Sequence, residues 1–184
     1  DKGTEERLKF LMKDLDIKPE DRNVVVPARK AADEARDRDK GNEGIFCGAS
    51  IELPDGTIVT GKNSPLMHAS SSLILNAVKH LAGIPDNMHL LPPNITESLN
   101  HFKKDVLNGN MVSLDLGETL IALSISAAMN PSAQVAIEKL KELRGCEVHI
   151  THMPTPGDEA GLRKLGVNLT SEPNFSTKAL YVQT

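Results

Sequence analysis

Aromatic side chains make up only 3% of the 184 residues, and there is no tryptophan. A core built from such a chain has to be aliphatic, and platforms on which bases could stack are scarce. Positive charge is not in excess either. Lys and Arg number 21 against 25 Asp and Glu, interspersed along the chain for a net charge of -4, which leaves no basic footprint for a nucleic acid. Cysteine is equally sparse: Cys47 and Cys146 have no paired spacing, which suits buried thiols in a reducing compartment, the cytoplasm, better than a disulfide framework. No apolar run approaches the roughly 18 residues of a membrane span, and no signal peptide opens the chain. The function classes left are those of a globular protein that needs neither membrane nor nucleic acid.

What is present is concentrated in Cys47 to Gly83. Two alternating apolar runs, with Ile51 and Leu53 on one side and Thr57 to Thr60 on the other, flank Asp55-Gly56, a pair that tolerates positive φ, and so predict a β-hairpin. A helix follows from Ser70, with Leu73, Ile74, Ala77, Val78 and Leu81 at helical spacing, and ends at Gly83 and Pro85. Upstream, residues 4–15 place Leu8, Leu11, Met12 and Leu15 on one face of an amphipathic helix that must cover something. Asn23 to Val26 reads as a buried strand, and the Ala-rich segment from Pro27 as a surface helix. Downstream, Thr96 to Leu107 can form a helix with Leu99, Phe102 and Val106 inward, inside a weakly patterned span from Pro92 to Gly117. Asp115 and Glu118 are spaced as a capping pair, which favours a buried helix over a strand for residues 119–129, and Asn130-Pro131 opens another helix carrying Val135, Ile137 and Leu140. From Cys146 the order is strand, short helix and strand, a crossover between parallel strands.

The whole chain, 1–184, reads as a single domain. It begins at Asp1 with a helix almost at once, so residues 1–16 are expected to link it to a preceding part of a longer protein.

Several runs together carry a family resemblance: residues 11–34 (LMKDLDIKPEDRNVVVPARKAADE), 52–64 (ELPDGTIVTGKNS), 120–149 (LIALSISAAMNPSAQVAIEKLKELRGCEVH) and 162–173 (LRKLGVNLTSEP). They resemble the C-terminal third of a bacterial family of uncharacterised proteins, domain-of-unknown-function family 1846. The resemblance implies an α/β protein with a cytidine deaminase-like fold, a three-layer α/β/α sandwich around a mixed sheet. It also implies a larger protein whose N-terminal part holds a P-loop-like run, and it implies no established activity. A zinc deaminase would place His-Ala-Glu at the start of one helix and Pro-Cys-x-x-Cys at the start of a second. Here His68-Ala69-Ser70 occupies the first place, and Ser70 cannot shuttle a proton as a carboxylate does. In the second, Asn130 to Val135 offers Ser132 and Val135 where thiolates would stand, so no metal and no cofactor are expected.

The remaining candidates each have an ordinary reading beside the functional one. Lys62-Asn63-Ser64 lies between hairpin and helix, where free helix N–H groups could hold an anion, or where Ser64 or Ser70 simply caps. His149 and His152 would face opposite sides of a strand and so share no metal. Asp158-Glu159 reads as a helix start favoured by the helix dipole. Ser70 to Ser72 have no His and carboxylate at triad spacing. Two functions compete. The first is an interaction, oligomerisation or regulatory domain whose partners are further copies of itself or the preceding domains. The second is a small-molecule or nucleotide pocket using Lys62, Asn63, His68 and Ser70, completed by the N-terminal region.

Overall fold

The hairpin forms where its turn residues predict it. In the computed structural model, which describes residues 2–109 and 112–176, strand β1 (Gly48–Glu52) pairs antiparallel with β2 (Ile58–Lys62), and Gly56 takes a φ of 82° between them. Before the hairpin come helices α1 (Lys2–Asp14) and α2 (Val25–Asp37). After it come α3 (Ala69–Ala82), α4 (Pro93–His101), α5 (Leu116–Ala127), α6 (Pro131–Lys139), β3 (Glu147–Ile150), α7 (Pro156–Leu165) and β4 (Asn168–Ser171). β3 enters antiparallel beside β1, with Ser50 opposite His149, and β4 returns parallel to β3 through α7 as expected. The result is a mixed four-stranded sheet in the order β2-β1-β3-β4.

Strand alternation decides what each face meets. Ala49 and Ile51 share a face with their partners Gly61 and Val59 in β2 and with Ile150 and Val148 in β3. Onto this face pack Leu73, Ile74, Ala77 and Val78 of α3, with Leu116 and Leu123 of α5, Ala133 and Ala136 of α6 and Leu162 of α7. Each fully buried Leu or Ile there contributes about 1.5–3 kcal/mol through burial. Gly61 is required, because a Cβ would collide with the backbone of Leu73 and Ala69. The opposite face carries Gly48 and Ser50 and meets α2, whose buried residues are Val25, Ala28, Ala31, Ala32 and Ala35. Ser50 Oγ donates to the carbonyl of Val24 there.

Five sequence expectations are corrected. Of the segment from Asn23 to Val26 only Val24 and Val25 are buried, both completely, while Asn23 and Val26 are exposed, and it leads into α2 and is not a strand. So short an apolar run has no readable period, and Pro27 falls in the first helical turn, where its missing N–H costs no bond. Thr96 to Leu107 is not one helix: α4 stops at His101 and a π-turn (Phe102–Val106) follows, which leaves Phe102 and Val106 exposed while Leu99 packs on the core. Residues 110 and 111 of the weakly patterned span lie outside the described residues. In α5, the capping pair closes as predicted, Asp115 Oδ1 accepting from Glu118 N at 2.8 Å and Glu118 Oε2 from Asp115 N at 3.0 Å. Its buried face is Leu116, Thr119, Ala122, Leu123 and Ser126, with Ile121 and Ile125 exposed. α6 likewise buries Ala133 and Ala136 and exposes Val135. Finally, the apolar face of α1 is largely uncovered: Leu8, Leu11 and Leu15, the last just past the helix end, are more than half exposed, and only Met12 is half-buried. No helix among the described residues is long and apolar enough to cross a membrane.

Candidate functional site

The starts of α3, α5 and α7 converge on one carboxylate, Asp158. His68 is the N-cap of α3, yet its side chain makes no cap bond; its Nδ1 lies 2.7 Å from Asp158 Oδ2. Thr155, the N-cap of α7, donates from Oγ1 to the same oxygen at 2.7 Å. Asp158 Oδ1 accepts from Ser70 Oγ at 2.5 Å and from the backbone N–H of Leu116, the first residue of α5, at 2.9 Å. A short backbone bridge holds the helix starts together: His68 N donates to the carbonyl of Leu114, Leu114 N to that of Leu66, and Ser71 Oγ to Leu114 again. Behind α5, Lys103 from the π-turn donates to the carbonyl of Ser113 at 2.9 Å and to Glu118 at 2.7 Å.

These contacts settle the protonation of the pair. Asp158 is 4% exposed and, when ionised, only accepts hydrogen bonds, so His68 Nδ1 carries a proton and Nε2 is the atom that titrates. Burial works against charge on His68, but the hydrogen bond and charge of Asp158, with Asp115 beyond, outweigh it and raise the pKa above 6.5, while Lys103 opposes. Burial likewise pushes Asp158 up, and the bonds and charge of His68 with the hydroxyls of Ser70 and Thr155 bring it below 3.8. His68 Nε2 has no hydrogen-bond partner among the described residues.

His68 stands between two spaces. One is a hollow of about 50 Å³ whose walls include Cys47, Asn63, Ser70 and Asp158; the other is an open cleft of about 650 Å³ bounded by Lys103, Asp115, Thr155 and Phe175. Ser113 borders both. Burial of Cys47 pushes its thiol up to about 12, so it is no nucleophile in this state. Gly157 gives Asp115 its place, since a Cβ there would run into the Asp115 carboxylate.

Of the residues singled out from sequence, Asn63, His68 and Ser70 border the same hollow. Asn63 is a clamp, accepting from Cys47 N at 2.8 Å and donating to the carbonyl of Ile45 at 2.9 Å. Lys62 is not with them. Paired with Gly48, it points to the α2 face and reaches Glu34 at 3.5 Å, because neighbours in a strand alternate. The start of α6 is also elsewhere: Asn130 caps it and donates to the carbonyl of His89, and neither Ser132 nor Val135 borders the hollow or the cleft. The helix start opposite His68 is that of α7. His149 faces α2 and bonds Thr170 and Glu172, while His152 bonds Thr151. Among the described residues no group of three or more His, Cys, Asp or Glu could hold a metal ion.

The residue that sequence reading undervalued is Asp158. Thr155-Pro156-Gly157-Asp158 is a complete helix-start signal by itself. Nothing in it distinguishes a dipole-complementing acid on the surface from one buried under two other helix starts. Lys103 and Ser113 lay in the span with the weakest pattern.

The sequence matches the family described as "Domain of unknown function DUF1846, C-terminal" over residues 20–181. It is similar to a UPF0371 protein of Clostridioides difficile (strain 630), 45% identical over 181 residues, which cover 98% of this chain and 36% of that protein. A UPF0371 protein of Clostridium botulinum (strain Alaska E43 / Type E3) shows the same 45% over 181 residues, and one from strain ATCC 19397 / Type A shows 44% over 182 residues, each again covering 98% of this chain and 36% of the relative. The chain thus spans about a third of the length of the curated relatives it matches.

Proposed function

The chain belongs to the DUF1846 C-terminal domain family, a family of uncharacterised proteins, and from that premise we propose that it carries a small-molecule site in which His68 exchanges a proton with the ligand. The observation that carries this reading is the His68–Asp158 pair. A buried carboxylate fixes Nδ1–H, and Nε2 is left without a partner among the described residues beside a cleft of ligand size. The hydrogen bond and charge of Asp158 raise the His68 pKa above its ordinary value, which favours the imidazolium formed when Nε2 takes up a proton. Asn63 and Ser70 position the walls, and Lys62 has no part in the site. In the longer relatives the site would be completed by the remaining two-thirds of the protein, with a nucleotide or another small molecule as ligand. A cytoplasmic setting fits the two buried free thiols, Cys47 and Cys146.

The finer fold reading, a cytidine deaminase-like three-layer α/β/α sandwich, is part of the same proposal. Its support is that α2 covers one face of the sheet and α3, α5, α6 and α7 the other, with His68 at the start of the helix after the hairpin. The chemistry is not that of a zinc deaminase on this reading, because the partner of His68 is a carboxylate at the start of α7.

The test has two parts. NMR titration of His68 is expected to give a pKa above 6.5 that falls in Asp158→Asn. In a full-length family member, His68→Gln is expected to abolish turnover of whatever small molecule co-purifies while the ligand is still retained. Identical His68 titration in both proteins, or unchanged turnover, would sink the reading.

The exposed apolar face of α1 favours a second reading beside the first: the domain also associates, through Leu8, Leu11 and Leu15, with the rest of a longer protein or with a second copy. A concentration series in sedimentation velocity tests it, and a strictly monomeric species that also ignores the remaining part of a full-length relative would remove its basis.

A further inference from the structure

The polar groups around the cleft are unequally used. On the acceptor side, both oxygens of Asp158 are occupied by Ser70, Leu116 N, His68 and Thr155. Glu118 is engaged through Oε2 by Lys103 and by the backbone of Asp115, and Asp115 accepts from Glu118 N through Oδ1 while its Oδ2 lies against Gly157. On the donor side three groups are not exhausted. Lys103 Nζ has three protons and two partners, the carbonyl of Ser113 and Glu118. His68 Nε2 carries a proton in the charged form and has no partner among the described residues. Ser113 is 3% exposed, and its Oγ is buried without a hydrogen-bond partner among the described residues.

A buried hydroxyl without a partner is uncommon and destabilising when nothing satisfies it. Ser113 stands in the wall common to the hollow and the cleft, beside His68, at the place where α3, α5 and α7 turn their N-terminal ends inward. Helix starts favour negative charge. Asp158 spends both its oxygens and Asp115 its Oδ1 on groups at the helix starts, and neither carboxylate accepts from Lys103 Nζ or Ser113 Oγ, or meets His68 Nε2, among the described residues. What the site lacks is an acceptor with several lone pairs and negative charge.

We infer that the ligand of this cleft presents an oxyanion, a phosphate or carboxylate group, to Ser113 Oγ, Lys103 Nζ and His68 Nε2. This names the ligand class of the proton-exchange site and rests on the reading of the cleft as a ligand site. Ser113 and Lys103 bind the anionic group; His68 both binds it and stands within reach of an adjoining acidic or basic atom of the ligand.

Inorganic phosphate and acetate serve as probes, each titrated into the protein while backbone and histidine signals are followed by NMR. At least one is expected to give saturable shifts at Ser113, His68 and the first turn of α7, and the pattern of response separates the two sources of the oxyanion. Ser113→Ala is expected to weaken that binding by about tenfold, the loss of one hydrogen bond to a charged group. Because it deletes a hydroxyl that has no partner among the described residues, the same variant should keep its thermal midpoint or raise it. A hydroxyl with a structural role would instead lower the midpoint. Lys103→Gln provides a second, independent loss of binding. Shifts that neither variant changes, shifts spread over unrelated surfaces, or no shift with either anion would overturn the inference. The two claims can fail separately: if proton exchange is wrong, anion binding persists while His68 titrates independently of Asp158. If the oxyanion is wrong, His68 stays coupled to Asp158 while both anions leave Ser113 and Lys103 unmoved.

Discussion

Asp158 is the residue on which most of the site's energy turns. It accepts from two hydroxyls, one backbone N–H and one imidazole while almost entirely withdrawn from water. Asp158→Ala strands all four donors, and its expected cost is about 2 to 4 kcal/mol, read from a urea unfolding curve. The pH dependence follows from the two shifts. The carboxyl lies below 3.8 in the folded state, so its contribution is complete above that value and is lost as pH falls through the folded pKa. His68 lies above 6.5, so its contribution is complete below 6.5 and is lost as pH rises through the folded pKa. The stability difference between the natural protein and Asp158→Asn is therefore expected to be largest between those two values and to shrink on either side. A difference that stays flat from pH 4 to pH 9 would mean that the pair is not coupled to folding.

Among the elements, α3 has the closest fit, because Gly61 lets its backbone approach β2 without a side chain between. Gly61→Ala is expected to destabilise by about 1 to 3 kcal/mol through overpacking, whereas substitution at exposed positions such as Thr60 should stay within about 0.5 kcal/mol. Denaturant midpoints of the two variants make the comparison. The hairpin, α3, the capped start of α5 and the β3-α7-β4 crossover were all readable from sequence, since each carries a local signal: a turn pair, a helical period, a capping box, a glycine at a helix end. The errors cluster where burial is decided by neighbours. α5 and α6 turn Ala122, Ala133 and Ala136 inward and leave Ile121, Ile125 and Val135 out, because closely packed helices select small residues over large ones. Lys62 lies apart from Asn63, His68 and Ser70 for a simpler reason, the side of the strand to which it points. The sequence places His68 at a helix start but carries no signal for its partner, because Asp158 comes from a distant part of the chain.

At the scale of the whole molecule, apolar surface remains uncovered. Leu8 and Leu11 of α1 and Leu15 just after it are exposed, as are Ile121 and Ile125 of α5, and Met129 is 94% exposed. Replacing Leu8, Leu11 and Leu15 by Gln should leave the unfolding free energy within about 0.5 kcal/mol of the natural chain and abolish any concentration-dependent association. A large loss of stability would show that α1 is part of the core after all. The arrangement of the site also has a temporal side. His68 and Asp158 are 90 residues apart, with Leu116 between them, and the sheet position that brings α7 to α3 exists only once β3 has inserted beside β1. During synthesis the histidine therefore leaves the ribosome long before its carboxylate, and until residue 158 has emerged and docked Nδ1 has no Asp158 oxygen to meet. A chain cut short ahead of α7 would lack Thr155 and Asp158 together, and with them the contact that joins the starts of α3, α5 and α7.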